Sequence, residues 1–155
     1  MGQKSIVTNP ETVEALQEVY RAKGGLMKPL DVVEAARPET SPLHKHFEWD
    51  DSVAAERFRI EQARTLLQKV YVRIENPDGK GRMAQVFVSL STDREQSGGY
   101  RAMVDVLSDA DMKNQLIRDA LVDMQIFEDR YKTLRELSSV FTVMRENRAT
   151  LEKTA

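Results

Sequence analysis

Apolar side chains return every three or four positions through Val13, Leu16, Val19 and Tyr20, the spacing of a helix that buries one face. Asn9-Pro10-Glu11 supplies a cap, a proline at the first helical position and an early acid, while Gly24-Gly25 ends the pattern, so a helix is predicted over 10–23. Pro29 opens a second short helix through Leu30, Val32, Val33 and Ala36, which Pro38 stops. Ser41-Pro42 starts a very short piece ending near Phe47, and Asp50-Asp51 caps a longer helix over 51–69 with an apolar stripe of Ala55, Phe58 and Leu66.

From Val70 the period becomes two. Val70, Val72 and Ile74 share one face of a strand, Asn76-Pro77-Asp78-Gly79 is a turn, and Ala84, Val86, Val88 and Leu90 alternate along a second strand, 83–91. A polar loop with Gly98-Gly99 then leads to a third strand, 100–107, which together would make a three-stranded antiparallel meander. Ser108 and Asp111 have the spacing of a capping box. Beyond it Ile117, Ala120, Met124, Phe127, Tyr131, Leu134, Ser138 and Phe141 step by threes and fours without an intervening Gly or Pro. The region reads as one long helix or as a helical hairpin broken near Ser138-Ser139, because serine competes for backbone hydrogen bonds.

The expected class is therefore α+β: a cluster of short N-terminal helices, winged-helix-like in order, a three-stranded meander, and a long C-terminal helix or hairpin. The organisation expected is a loose tail over 1–8, a helical unit plus sheet over 9–107, and a C-terminal helical region over 108–155 that serves self-association.

Composition narrows the chemistry. The 155 residues are 41% hydrophobic and 31% charged, the balance of an ordinary globular chain, and 23 basic against 25 acidic side chains give a net charge of -2. Split at Lys69 and Leu107, the blocks carry 10 basic and 11 acidic, 5 and 5, then 8 and 9 residues, so no part has the strong positive field of a non-specific nucleic-acid binder. The absence of cysteine rules out disulfides and thiolate metal sites and suits a reducing, cytoplasmic setting, the host cytoplasm for a phage-encoded chain. No run approaches the roughly 18 apolar residues of a membrane span, and the N-terminus has no apolar stretch behind its lysine, so no membrane partner is expected.

There is no Gly-x-Ser-x-Gly, no Gly-rich loop followed by lysine and no Asp-rich calcium loop, so no catalytic residue, cofactor or metal is assigned and a non-enzymatic protein is expected. His44 and His46 lie near Glu48 and Asp50, but no cysteine or third histidine completes a ligand set, and capping or surface roles are expected of them. Phe47 or Trp49 is placed to pack on the first turns of the following helix, near Ala54 and Phe58, with a partner-binding aromatic as the alternative.

That helix carries Arg57, Arg59 and Arg64 with Gln62, and the hairpin after it carries Lys80 and Arg82 at its tip. As a DNA-binding set, the basic side chains would meet phosphates and Gln62 a base edge. Glu56 and Glu61 interleave at ion-pair spacing, which equally describes a solvated, salt-bridged face. Ile117, Ala120, Met124, Phe127, Tyr131 and Leu134 form the expected oligomerisation seam.

Ser41-Pro42-Leu43-His44, Phe47-Glu48-Trp49-Asp50-Asp51, Ala54-Ala55-Glu56, Arg59 and Gln62-Ala63-Arg64 together form a pattern. So do Val88-Ser89-Leu90-Ser91, Gly99-Tyr100-Arg101, Val104, Val106 and Leu107-Ser108 further on. Over most of residues 29–141 the chain resembles a group of small proteins encoded in bacteriophage and prophage genomes. The resemblance implies a phage origin and brings no catalytic residues with it. The resulting expectation is a phage-type, non-enzymatic DNA-binding or regulatory protein that self-associates through its C-terminal helix. Its rival is a protein-interaction or structural module, an adaptor, inhibitor or assembly component that binds a host or phage protein. DNA, a second copy of the chain and a host or phage protein are thus the partners the pattern admits.

Overall fold

Asn9 caps the first helix by accepting a hydrogen bond from the Glu11 amide at 3.1 Å, and α1 runs over Pro10–Ala22. In the computed structural model, which describes residues 9–50, 53–74, 79 and 81–153, α2 follows at Pro29–Ala36 and a single 3-10 turn at His44–His46. The Lys28 amide donates to the Asp31 carboxylate at 2.8 Å and fixes the start of α2. The long helix α3 spans Val53–Lys69. The tail expected over 1–8, the Asn76-Pro77-Asp78 part of the turn, Asp51 and Lys80 lie outside the described residues.

The class expected from the sequence is the one observed: an α+β chain with several short N-terminal helices, small antiparallel sheets and a C-terminal helical region. The sheet itself is divided. Strand β1 (Tyr71–Ile74) pairs antiparallel with β2 (Arg82–Gln85), with Tyr71 opposite Gln85 and Ile74 opposite Arg82. A second two-stranded sheet pairs β3 (Phe87–Val88) with β4 (Arg101–Ala102). The chain changes sheet at Val86, whose amide still donates to Val70 while its carbonyl accepts from Met103, at 3.1 and 2.8 Å. Strict alternation fails there because Val86 and Phe87, which are consecutive, are both buried.

Two segments differ from the sequence expectation. The polar stretch after Leu90 is a helix, α4 (Ser91–Gln96), and Gly98-Gly99 leave it at φ 72° and 138°, where a side chain would be strained. The third strand over 100–107 shrinks to two residues and becomes helix α5 (Met103–Ser108). Tyr100, Ala102, Val104 and Val106 alternate in the sequence, yet Val104 is 70% exposed while Ala102 and Val106, four apart, are buried. The period of four is helical, and the Tyr20 hydroxyl secures the turn by donating to Asp105 at 2.8 Å.

The core gathers Leu16 and Tyr20 of α1, Val32 and Val33 of α2, Ala63, Leu66 and Leu67 of α3, and Phe87 of β3, with Met27 and Leu43 from the connections. Met27 and Tyr100 exchange backbone hydrogen bonds at 3.0 and 2.7 Å, so the loop after α1 is sewn to the start of β4. Beside this bridge Arg101 holds the buried Asp93 with two hydrogen bonds, at 2.6 and 2.7 Å, and its own guanidinium is held in the charged form by that carboxylate.

The C-terminal region is a hairpin of two helices, α6 (Ala110–Tyr131) and α7 (Ser138–Leu151), which meet α6 to α7 across a 3-10 turn at Arg135–Leu137. The alternative of a break near Ser138 is the one realised, with Ser138 the first residue of α7. The cap of α6 is Asp109, which accepts from the Met112 amide at 2.8 Å, while Ser108 turns back to donate to the Val104 carbonyl. The capping box expected of Ser108 and Asp111 is thus displaced by one residue, since aspartate at the cap position reaches the third amide directly.

Candidate interaction surfaces

The segment before α3 and the first turns of α3 form one polar-aromatic assembly. The His44 imidazole stacks on Trp49 with centroids 4.8 Å apart and planes 8° apart, and the Trp49 indole N–H donates to the His44 carbonyl at 3.0 Å. Over the indole, 4.8 Å from its centroid, lies the Arg59 guanidinium. Arg59 Nε donates to the Glu48 carbonyl at 2.7 Å, a second guanidinium nitrogen lies 3.5 Å from the Asp50 carbonyl, and Glu56 lies 3.5 Å away. With 3% of its surface exposed, Arg59 is an internal strut.

This corrects two expectations. Arg59 does not belong to a phosphate-contacting set, because its donors are spent inside the protein. Trp49 packs on Arg59 and His44, whereas Phe58, its expected neighbour, is 55% exposed. The buried stripe of α3 passes through Ala55, Arg59, Ala63, Leu66 and Leu67, one position round from the stripe through Phe58.

The rest of the expected DNA-binding set is scattered in role. Arg57 is exposed on α3, and Arg82 is exposed on β2. Arg64 is ion-paired with Glu61 on the same helix. Gln62 is half-buried and its side-chain oxygen accepts from the Glu48 amide at 3.1 Å, which commits the group proposed to read a base. Glu56 also receives Arg37 of the α2 exit at 3.2 Å. The helix therefore presents the salt-bridged face that Glu56 and Glu61 foreshadowed.

Both histidines have partners within the fold. His44 Nδ1 lies 2.9 Å from the Ala36 carbonyl, and His46 Nε2 lies 3.1 Å from the hydroxyl of fully buried Thr12. Among the described residues no group of three His, Asp or Glu side chains is placed to hold a metal.

Burial lowers the His46 pKa from its ordinary value, with Lys45 adding a smaller push in the same direction. The unfolded chain therefore takes up this proton first as pH falls, so the stability due to neutral His46 is complete above about pH 6.5 and declines below it. Urea unfolding at about pH 7.5 and about pH 5.5 should show a larger loss for the natural chain than for His46→Gln. Equal losses in the two proteins would remove His46 from the account.

A second polar cluster fastens α6 to α4. The Asp119 carboxylate accepts from the Ser91 amide at 2.8 Å, the Ser91 hydroxyl at 2.5 Å and Gln115 at 2.9 Å. Burial by itself would raise the Asp119 pKa, but the Ser91 and Gln115 hydrogen bonds, with Arg94 beyond, outweigh it and leave it below the ordinary value. Farther out the two hairpin helices hold each other through Phe127 and Phe141, 6.2 Å apart edge to face, and through Glu128, which receives Arg145 at 2.6 Å and Arg148 at 3.6 Å.

The expected oligomerisation seam is partly consumed by this pairing. Ile117, Met124 and Tyr131 are half-buried, Phe127 packs on Tyr131 and Phe141 yet stays 42% exposed, and Ala120 and Leu134 are exposed. The hairpin also leaves open a set that the heptad reading passed over: Val122 and Ile126 on α6, Val140 and Val143 on α7, with Val122 58% and Val143 54% exposed. Val122 and Ile126 are one turn apart, as are Val140 and Val143, so each helix shows a short apolar stripe.

The molecule so defined is an α+β protein with internal polar braces and with several exposed apolar side chains on its C-terminal helical hairpin. Compared with protein families, with curated proteins and with solved structures, the chain finds no match in any of the three. Among the described residues no helix is long and apolar enough to cross a membrane.

Proposed function

We propose that this is a phage-type, non-enzymatic protein-interaction module that assembles with copies of itself through the outer face of its C-terminal hairpin and binds a host or phage protein as an assembly component or adaptor. The observation that carries this reading is the exposure of Val122, Ile126, Val140 and Val143 on a hairpin already closed on its inner side by Leu121 and Phe141. Apolar side chains clustered on one element and surrounded by charge mark contact surfaces. The state of α3 supports it from the other direction, since Arg59 is internal and the Gln62 side-chain oxygen is bonded to the Glu48 amide, so two members of the expected DNA-contacting set are engaged within the fold.

Light scattering on the purified chain, beside a Val122→Glu, Val143→Glu double variant, tests the reading. The natural chain should be an oligomer and the variant a folded monomer. A natural chain that is monomeric at its highest soluble concentration would refute self-association. Duplex DNA titrated into the same samples across a salt series decides the rival: steeply salt-dependent binding that is lost in an Arg57→Ala, Arg64→Ala variant would replace the protein-interaction reading with a DNA-binding one. Arg59 is kept in that variant because it braces the fold.

A further inference from the structure

A cleft of about 600 Å³ opens between α3, β2 and the loop from α4 to β4. Its volume lies within the range of small-molecule sites, roughly 300–1,000 Å³. Arg64 and Gln68 project from α3, Gln85 and Val88 come from the strands, and Arg94 comes from α4, with Tyr100 beside them. Among the described residues that line it there is no carboxylate. Four smaller clefts on the same surface each include one, Glu61, Glu14, Asp111 or Asp105. In a chain with a net charge of -2 and acids paired with most of its buried cations, a cleft with two guanidiniums and no acid is a local exception.

The two arginines are braced by groups that are not part of the lining acids. Arg64 is held by Glu61, which lines a different cleft, and Arg94 donates to the Ser89 carbonyl at 2.5 Å with Asp119 3.9 Å away. Each side chain is about half exposed, so guanidinium N–H groups remain open to a ligand while the stems are oriented. Neutral donors accompany them: Gln68 donates to the Tyr100 hydroxyl at 3.3 Å and Gln85 to the Gln68 carbonyl at 3.4 Å, which ties the polar wall together. Val88 and Pro29 add apolar surface.

The geometry points to a binding site for a small organic anion, a phosphate ester or polycarboxylate of about nucleotide size, with Arg64 and Arg94 meeting its charge and Gln68, Gln85 and Tyr100 its polar edge. Guanidinium forks pair with phosphate and carboxylate alike, so the shared chemistry is the oxyanion. The site is separate from the hairpin surface and does not depend on its role.

Calorimetric titration of the full chain with pyrophosphate, adenosine monophosphate and citrate, and with uncharged adenosine, tests it. At least one anion should bind and adenosine should not; phosphate esters binding in preference to citrate identify the phosphate source, and the reverse identifies the carboxylate. An Arg64→Gln, Arg94→Gln variant should bind that anion at least about tenfold more weakly, the loss expected for removing charge-assisted hydrogen bonds. Arg64→Gln alone, which leaves α4 untouched, provides the same comparison should the double variant unfold, with Trp49 fluorescence reporting the fold. Binding of no anion by the folded protein, binding undiminished in the variants, or binding of adenosine as tight as that of the anions would each overturn the assignment.

Discussion

Arg59→Ala should destabilise the protein by about 3 kcal/mol, a large loss for a charged residue on a helix and well beyond the roughly 0.5 kcal/mol typical of surface substitutions such as Arg57→Ala. The arginine fills the gap between the small side chains Ala55 and Ala63 on the inner face of α3, so truncation leaves a void as well as unmet acceptors. The Glu48 carbonyl loses a 2.7 Å charge-assisted donor and Trp49 loses the cation over its ring. Arg59→Lys should fall between, since an ammonium keeps the charge but cannot serve two carbonyls and an indole in one plane. Urea denaturation measures the loss, and the emission of the only tryptophan reports the local site directly. Were Arg59→Ala as stable as Arg57→Ala, with Trp49 emission unchanged, the internal bracing described for Arg59 would be wrong.

Phe141→Ala should cost about 3–5 kcal/mol at its own site, the range for deleting a buried aromatic ring. The expected consequence is local. Phe141 is buried against Phe127 at the hairpin interface and takes no part in the cluster around Leu16, Val33 and Phe87. Losing it should therefore release α7 from α6 while the Ser91, Gln115 and Asp119 hydrogen bonds still hold α6 to α4. Hydrogen exchange is the measurement: amides of α7 should lose protection and those of α1 to α3 should keep theirs. Equal loss throughout would mean that the hairpin and the N-terminal core unfold as one unit. The same variant should also weaken self-association, because the stripe of Val140 and Val143 is presented by α7.

The N-terminal helices were legible because their boundaries are written in local chemistry. Asn9 with Pro10, Pro29, and the glycine pair Gly24-Gly25 act through the backbone of one or two residues, and α1 and α2 begin and end within about a residue of the positions these predict. The hairpin strand β1 was legible for the same reason, and so was the position at which a break in the C-terminal region would fall, though a continuous helix stayed open. What the local signals did not reveal is which of two faces turns inward. On α3 hydrophobicity favoured the face of Phe58, whereas the face with Arg59 is buried. The only sequence trace of this is the pair of small residues, Ala55 and Ala63, four positions to either side of Arg59, which leave room for a long side chain.

Residues 100–107 show the opposite failure. Alternating Tyr100, Ala102, Val104 and Val106 is a fair strand pattern, and a two-residue strand does form, but a third strand needs a partner edge. Because β3 is only two residues long, the chain has no ladder left to join beyond Ala102, and helix α5 satisfies its backbone groups internally while Asp105 is bound by Tyr20. The expected oligomerisation seam is divided for a related reason. A heptad stripe specifies one face, and the fold sets Phe127 against Phe141 of its own α7 while leaving Phe127 and Leu134 partly exposed together with Val122, Ile126, Val140 and Val143.

By itself, then, the sequence determined the α+β class and the starts and stops of most helices, and it marked Ser138 as the place for a break without deciding that one occurs, because caps, prolines, glycines and periodicity act over a few residues of backbone. Only the tertiary structure decided the division of the sheet, the inward turn of Arg59, the conversion of 103–108 to helix and the location of the exposed apolar surface. Those features depend on contacts between residues far apart in the chain, Tyr20 with Asp105, Ser91 with Asp119, Thr12 with His46, and such pairings leave no periodic mark on either partner.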